Sequence, residues 1–280
     1  RHDGTIDLAA WFRLVDFHAS NGTSCLVVGG TTGESATLTD AELDELTRLA
    51  VQHAAGRLAV VAGAGTSSTA ATVARVARLS QLGVEGLLVV TPAYVRPTQE
   101  GLYRHFEAVA AASRVPLILY NVPSRTAVDL LPATVARLAK LPRIVAIKEA
   151  VDSMERVREL VRLVPPGFTV RSGDDATARE AVAHGARGVV SVTANVAPRQ
   201  VADMIAAALE GDQQRAMELD SRLASLHQAL FLEPNPIPAK WVAMKLGLAP
   251  GGIRLPLTAL EPAHEAPLRR AMMAAGIALD

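Results

Sequence analysis

Short apolar runs of strand type alternate with longer amphipathic stretches as far as about Gly211, the pattern of repeated βα units around a parallel sheet. Seven runs read as strands: Cys25 to Val28, Leu58 to Ala62, Gly86 to Val90, Pro116 to Tyr120, Ile144 to Ile147, Thr169 to Arg171 and Gly188 to Val192. Crossover helices are expected between them, near Asp40 to His53, Ser68 to Gln81, Gln99 to Ala112, Pro132 to Lys140, Met154 to Val164 and Ala176 to His184. Another follows the last strand, near Pro198 to Leu209. Beyond Gly211 the alternation stops, and helical patterns follow near Gln213 to Leu230, Pro238 to Leu246 and Glu261 to Ala275. The reading is a catalytic (β/α)8 barrel over residues 1–210 and a C-terminal helical domain over residues 211–280.

Each apolar run ends in small or polar residues, among them Gly30-Thr31-Thr32-Gly33-Glu34-Ser35, Thr91-Pro92-Ala93-Tyr94 and Ser172-Gly173-Asp174-Asp175. Chemistry spread over the C-terminal ends of many strands is expected of a TIM barrel, whereas an open sheet gathers it near one switch point. Closure at eight needs one strand more than the seven, because the first regular element, about Ile6 to Ser20, reads as an amphipathic helix. The expectation is that this first strand lies upstream of Arg1 and is missing from the chain.

The composition narrows the class. Half of the 280 residues are apolar, enough for one large core, and 28 basic residues balance 28 acidic ones. No basic block or basic-aromatic stripe is present to track a phosphate backbone, so nucleic acid is not an expected partner. The single cysteine, Cys25, falls in an apolar run and reads as an inert core residue, and one cysteine excludes an internal disulfide framework. No apolar run approaches the roughly 18 residues that span a bilayer, and Arg1-His2-Asp3-Gly4 has no signal-peptide form. The expected location is the cytoplasm. The seven histidines are scattered, with no i, i+4 pair and no nearby cysteine, and no metal site is read from them.

Two strand ends carry the candidate chemistry: Leu119-Tyr120-Asn121-Val122-Pro123-Ser124-Arg125 and Ile147-Lys148-Glu149-Ala150. A lysine after four apolar residues is partly stripped of water, which penalises its charged form and lowers its pKa from about 10.4. Lys148 is therefore a candidate amine nucleophile. A solvated ion pair with Glu149 is the plainer reading, although strand alternation sends the two side chains to opposite faces. Tyr120 and Arg125 would open on the same end of the barrel and surround a small carbonyl substrate carrying a carboxylate. Tyr120 reads equally as an aromatic closing the core, Arg125 as a surface arginine, and Thr31 or Thr32 as a helix N-cap.

With Gly30 to Ser35, Tyr120 to Thr126 and Ile147 to Ala150 in this order, and Glu233-Pro234-Asn235-Pro236-Ile237-Pro238-Ala239-Lys240-Trp241 near the end, the chain resembles the dihydrodipicolinate synthase family of pyruvate-dependent class I aldolases over essentially its whole length. The resemblance implies an (α/β)8 barrel, commonly a homotetramer built as a dimer of dimers. It implies a lyase that condenses pyruvate with L-aspartate-4-semialdehyde on the way to diaminopimelate and lysine, with a covalent Schiff base and no cofactor. Lys148 would then form the Schiff base, and Tyr120 would be the centre of a proton relay with Thr31 and Tyr94, the latter entering a neighbouring subunit's site. Thr32 would hold the pyruvate carboxylate, Arg125 the semialdehyde carboxylate, and Gly173 and Val190 would border the bound pyruvate. Arg125 separates this reading from N-acetylneuraminate lyase and keto-deoxy-sugar aldolases, which resemble the same barrel. A catalytically silent barrel remains the alternative from another class.

Overall fold

The computed structural model describes residues 1–278. Its regular elements run α1 (Leu8–Ser20), β1 (Cys25–Val28), α2 (Asp40–Ala54), β2 (Ala59–Gly63), α3 (Thr69–Leu79), β3 (Gly86–Val90), α4 (Gln99–Ala112) and β4 (Leu117–Asn121). They continue with α5 (Pro123–Thr126), α6 (Pro132–Leu138), β5 (Ile144–Glu149), α7 (Met154–Leu163), β6 (Thr169–Ser172), α8 (Ala178–Ala183) and α9 (Pro198–Glu210). Three helices close the chain, α10 (Gln213–Ala229), α11 (Ile237–Lys245) and α12 (Pro262–Ala274).

Strands β1 to β6 pair in chain order, all parallel, into one curved sheet with the helices on its outer side. Pleating divides each strand between two environments. In β4, Leu117 and Leu119 join the large core under the helices, while Ile118 and Tyr120 join a smaller inner cluster with Val61, Leu88 and Val122. Lys148 pairs in register with Tyr120 and shares its inner face, whereas Glu149 pairs with Asn121 on the outer one. The C-terminal helices have their own core, where Leu223, Leu226, Val242 and Leu268 pack with Val196, Val201 and Met204 from the barrel side. No helix among the described residues is long and apolar enough to cross a membrane.

Two expectations are corrected. Gly188 to Val192 is not a seventh strand but a single bridge between Val189 and Ser172. Arg187 and Val190 do donate to the carbonyls of Val170 and Ser172, at 2.8 and 2.9 Å. The next amides then turn away, because the Asp175 carboxylate accepts from the N–H groups of Val192 and Thr193. Cys25 is exposed rather than buried in the core, because β1 is a sheet edge with no paired strand on its outer flank among the described residues. Its side chain lines the inner cavity, where desolvation pushes the thiol up to about 11 and keeps it protonated.

Candidate active site

A cavity of about 1010 Å³ lies against the inner face of the sheet. Thr31, Thr32, Tyr120, Arg125, Lys148, Gly173 and Val190 all line it, and it widens past the open edge of β1 toward α1. Seven of the eight residues singled out in the sequence therefore meet at one place. Tyr94 does not: it stands 92% exposed on the loop after β3, with φ at +73°. That left-handed backbone is unfavourable for a tyrosine, and the loop holds it through a hydrogen bond from the Tyr94 N–H to the Thr126 carbonyl at 3.2 Å.

Lys148 is buried near the end of β5. Its Nζ lies 4.3 Å from the centre of the Tyr120 ring. Burial lowers its pKa to about 8, with the Arg125 charge acting in the same direction and the Asp175 carboxylate opposing both. The solvated pair with Glu149 is ruled out, since Glu149 is itself buried on the other face. There Asn121 donates to its two oxygens at 3.0 and 3.2 Å, and burial pushes the carboxyl up to about 7. Gly173 is required by Lys148: a Cβ at that position would lie 2.9 Å from Lys148 Cε and 2.8 Å from Ala150 Cβ.

The Tyr120 phenol is pushed up by burial, against the opposing pull of the Thr31 hydroxyl and the Arg125 charge. Neither Thr31 nor Thr32 caps the next helix. Thr39 does so through a capping box with Glu42, so neither earlier hydroxyl is committed to that helix. Thr32 Oγ1 accepts a hydrogen bond from the Asn235 amide at 3.0 Å. Arg125, exposed on the one-turn helix α5, donates to the Asn235 carbonyl at 3.3 Å. At this rim its guanidinium suits a carboxylate entering the cavity.

The Dihydrodipicolinate synthetase family model matches residues 1–275. The chain belongs to this family. The 4-hydroxy-tetrahydrodipicolinate synthase of Methylococcus capsulatus is 51% identical over 275 residues, which cover 98% of this chain and 94% of that protein. The same-named enzyme of Alkalilimnicola ehrlichii is also 51% identical, over 98% and 94%. Among solved structures, the chloride-inhibited dihydrodipicolinate synthase of Acinetobacter baumannii in complex with pyruvate superposes with a TM-score of 0.97 at 43% identity, covering 99% of this chain and 96% of that one. Family members use a lysine Schiff base with pyruvate and need no added cofactor, and a buried lysine of lowered pKa is the group such chemistry requires.

Against the family frame, three anchoring features went unread in the sequence. Asn235 reaches both Thr32 and Arg125 from the loop before α11. Glu34, at φ +55°, is held by Lys240 Nζ and by the Arg254 N–H at 3.1 Å, which ties the Thr31-Thr32 turn to the C-terminal helices. Asp175 is buried beside the cavity and accepts three hydrogen bonds from the segment after Val190. The Asn-Pro-Ile-Pro segment was visible as a motif, but no spacing announces a contact between residues 203 positions apart.

Proposed function

We propose that the protein is a lyase condensing pyruvate with L-aspartate-4-semialdehyde, the reaction for which its relatives are named 4-hydroxy-tetrahydrodipicolinate synthase. The observation that carries this reading is the Lys148 amine, desolvated to a pKa of about 8 beneath Tyr120 in a cavity rimmed by Arg125. The unprotonated amine attacks the keto carbon of pyruvate, the carbonyl oxygen leaves as water, and an iminium forms. That iminium withdraws electrons so that the methyl group loses a proton, and the resulting enamine carbon attacks the aldehyde carbon of the second substrate.

In this reading Tyr120, with Thr31, moves protons to and from the departing oxygen. Thr32 holds the pyruvate carboxylate, Gly173 and Val190 border the bound pyruvate, and Arg125 takes the semialdehyde carboxylate. The test is a coupled assay with both substrates on the purified protein and on Arg125→Ala. The wild type is expected to turn over. Arg125→Ala is expected to raise the semialdehyde KM by at least about tenfold, the loss of a bidentate charge-assisted contact, while pyruvate trapping by borohydride stays near wild type. Equal loss of both would make Arg125 a structural residue, and turnover with an acyl-amino sugar instead of the semialdehyde would assign another aldolase.

The finer points of the architecture belong to the same proposal. The chain divides into a barrel over residues 1–210 and a helical domain over residues 211–280, supported by the end of the strand-helix alternation after α9 and by the all-helical run α10 to α12 that follows. A strand between the open edge of β1 and the bridge at Val189 would close the sheet into a barrel, with the Val189 segment standing in the eighth position, supported by the apolar lining of the cavity there. The working enzyme is a cytoplasmic homotetramer, a dimer of dimers, in which Tyr94 completes the relay of a neighbour's site. Its support is the outward, strained Tyr94 beside the exposed Val95. Mixing inactive Tyr94→Phe and Lys148→Ala chains is expected to restore part of the activity, since one mixed site then holds both intact residues. Absence of rescue after subunit exchange is demonstrated by mass would place Tyr94 outside the neighbour's site.

A further inference from the structure

Behind the cavity, one buried carboxylate does work that the reaction as described above leaves unassigned. Asp175 follows β6 by three residues and is 3% exposed. Its Oδ1 accepts from the Ser191 hydroxyl, and its Oδ2 accepts from the N–H groups of Val192 at 2.8 Å and Thr193 at 3.0 Å. Among the described residues it forms no salt bridge, and its charge acts on the cationic Lys148 amine. All three of its partners belong to one short segment that has left the sheet.

That segment is otherwise weakly held at its start. Val190 donates to the Ser172 carbonyl, and beyond it no amide pairs with β6. The chain turns into a one-turn 3-10 helix, Thr193–Asn195, whose first amide the carboxylate satisfies, while the Ser191 oxygen accepts from the Ala194 N–H at 2.8 Å. The Thr193 hydroxyl is joined to buried His227 Nδ1 at 2.8 Å, which anchors the far side to α10. Asp175 thus links two walls of the same cavity: its own turn, in which Gly173 touches Lys148, and the Val190 to Val192 stretch opposite.

We propose that Asp175 is a positioning residue for pyruvate, clamping the Val190–Thr193 segment against the Gly173 turn so that the cavity wall next to Lys148 keeps the shape the first substrate requires. The inference rests on the lysine Schiff-base reading given above. Two amides on one oxygen and a hydroxyl on the other are held most strongly by an ionised carboxylate, because charge-assisted hydrogen bonds are roughly twice as strong as neutral ones. In Asp175→Asn the charge on both amide contacts is lost, and the new NH₂ must reverse the bond to Ser191, whose oxygen already accepts from the Ala194 N–H.

Steady-state kinetics on Asp175→Asn and Ser191→Ala test this, with both substrates varied. Asp175→Asn is expected to raise the pyruvate KM about tenfold while leaving the semialdehyde KM within about twofold, because Arg125 is held independently through Asn235. Ser191→Ala, which removes one donor and leaves the two amide contacts, is expected to raise the pyruvate KM about threefold and to fold normally. Asp175→Glu, which keeps the charge but is one methylene longer, is expected to recover part of the loss in Asp175→Asn. Equal changes in both KM values, or a fall in thermal stability with the pyruvate KM unchanged in Ser191→Ala, would overturn the proposal. Borohydride trapping of pyruvate on the wild type separates the two levels: a wild type that traps pyruvate leaves the Schiff-base reading standing while Asp175 fails alone, and a wild type that does not sinks both.

Discussion

Borohydride added with pyruvate is expected to fix a reduced pyruvyl group on Lys148, and Lys148→Arg is expected to abolish both that adduct and turnover, by roughly a thousandfold or more in kcat. The physical basis is that only an unprotonated amine adds to a carbonyl. Lys148 approaches that state because burial on the inner face of β5 lowers its pKa to about 8, so trapping should rise with pH and level off above that value. A guanidinium stays protonated at every accessible pH and cannot follow. Tandem mass spectrometry of the reduced protein locates the adduct. Labelling of another lysine, or no labelling of folded protein at saturating pyruvate, would refute Lys148 as the nucleophile.

The inner face of the sheet was legible because it obeys a local rule. Tyr120 and Lys148 each close an apolar run, and parallel strands of similar length put such ends in register, as the pairing of these two residues shows. Six apolar runs became strands because each has a neighbour to take its amides. Gly188 to Val192 has the same composition and did not, because a carboxylate from the previous turn takes the amides a further ladder would use. Composition records what a segment prefers, and the competing acceptor lies far from it in sequence. Cys25 was misread for a related reason: its apolar neighbours imply burial, but burial of an edge strand depends on what lies beside it. The one-turn helix α5 has too few residues for any period to show, so only its Pro123 marked it. The ties of Asn235, Lys240 and Arg254 to the first βα turn depend on how α11 and α12 pack, and pattern along the chain carries no record of that.

Gly173→Ala is expected to lower the rate of imine formation about a hundredfold while the protein still folds. The added Cβ would stand 2.9 Å from Lys148 Cε, 3.1 Å from its Cγ and 2.8 Å from Ala150 Cβ, all closer than carbon atoms pack. Ala150 is fixed to its strand neighbour by its N–H bond to the Asn121 carbonyl at 3.0 Å, so the lysine chain is the part able to move. Overpacking of this kind costs on the order of 1–3 kcal/mol, which lowers the melting temperature without unfolding a domain of this size. The larger consequence is chemical, because the amine must approach the keto carbon along a narrow path, and displacement by about an ångström costs on the order of a hundredfold in rate. Stopped-time borohydride trapping, read beside a thermal melt, distinguishes the two effects. Slow trapping with a modest drop in melting temperature supports a glycine kept small to leave room for Lys148. Trapping at the wild-type rate would show that the lysine reaches pyruvate by a path that does not pass Gly173.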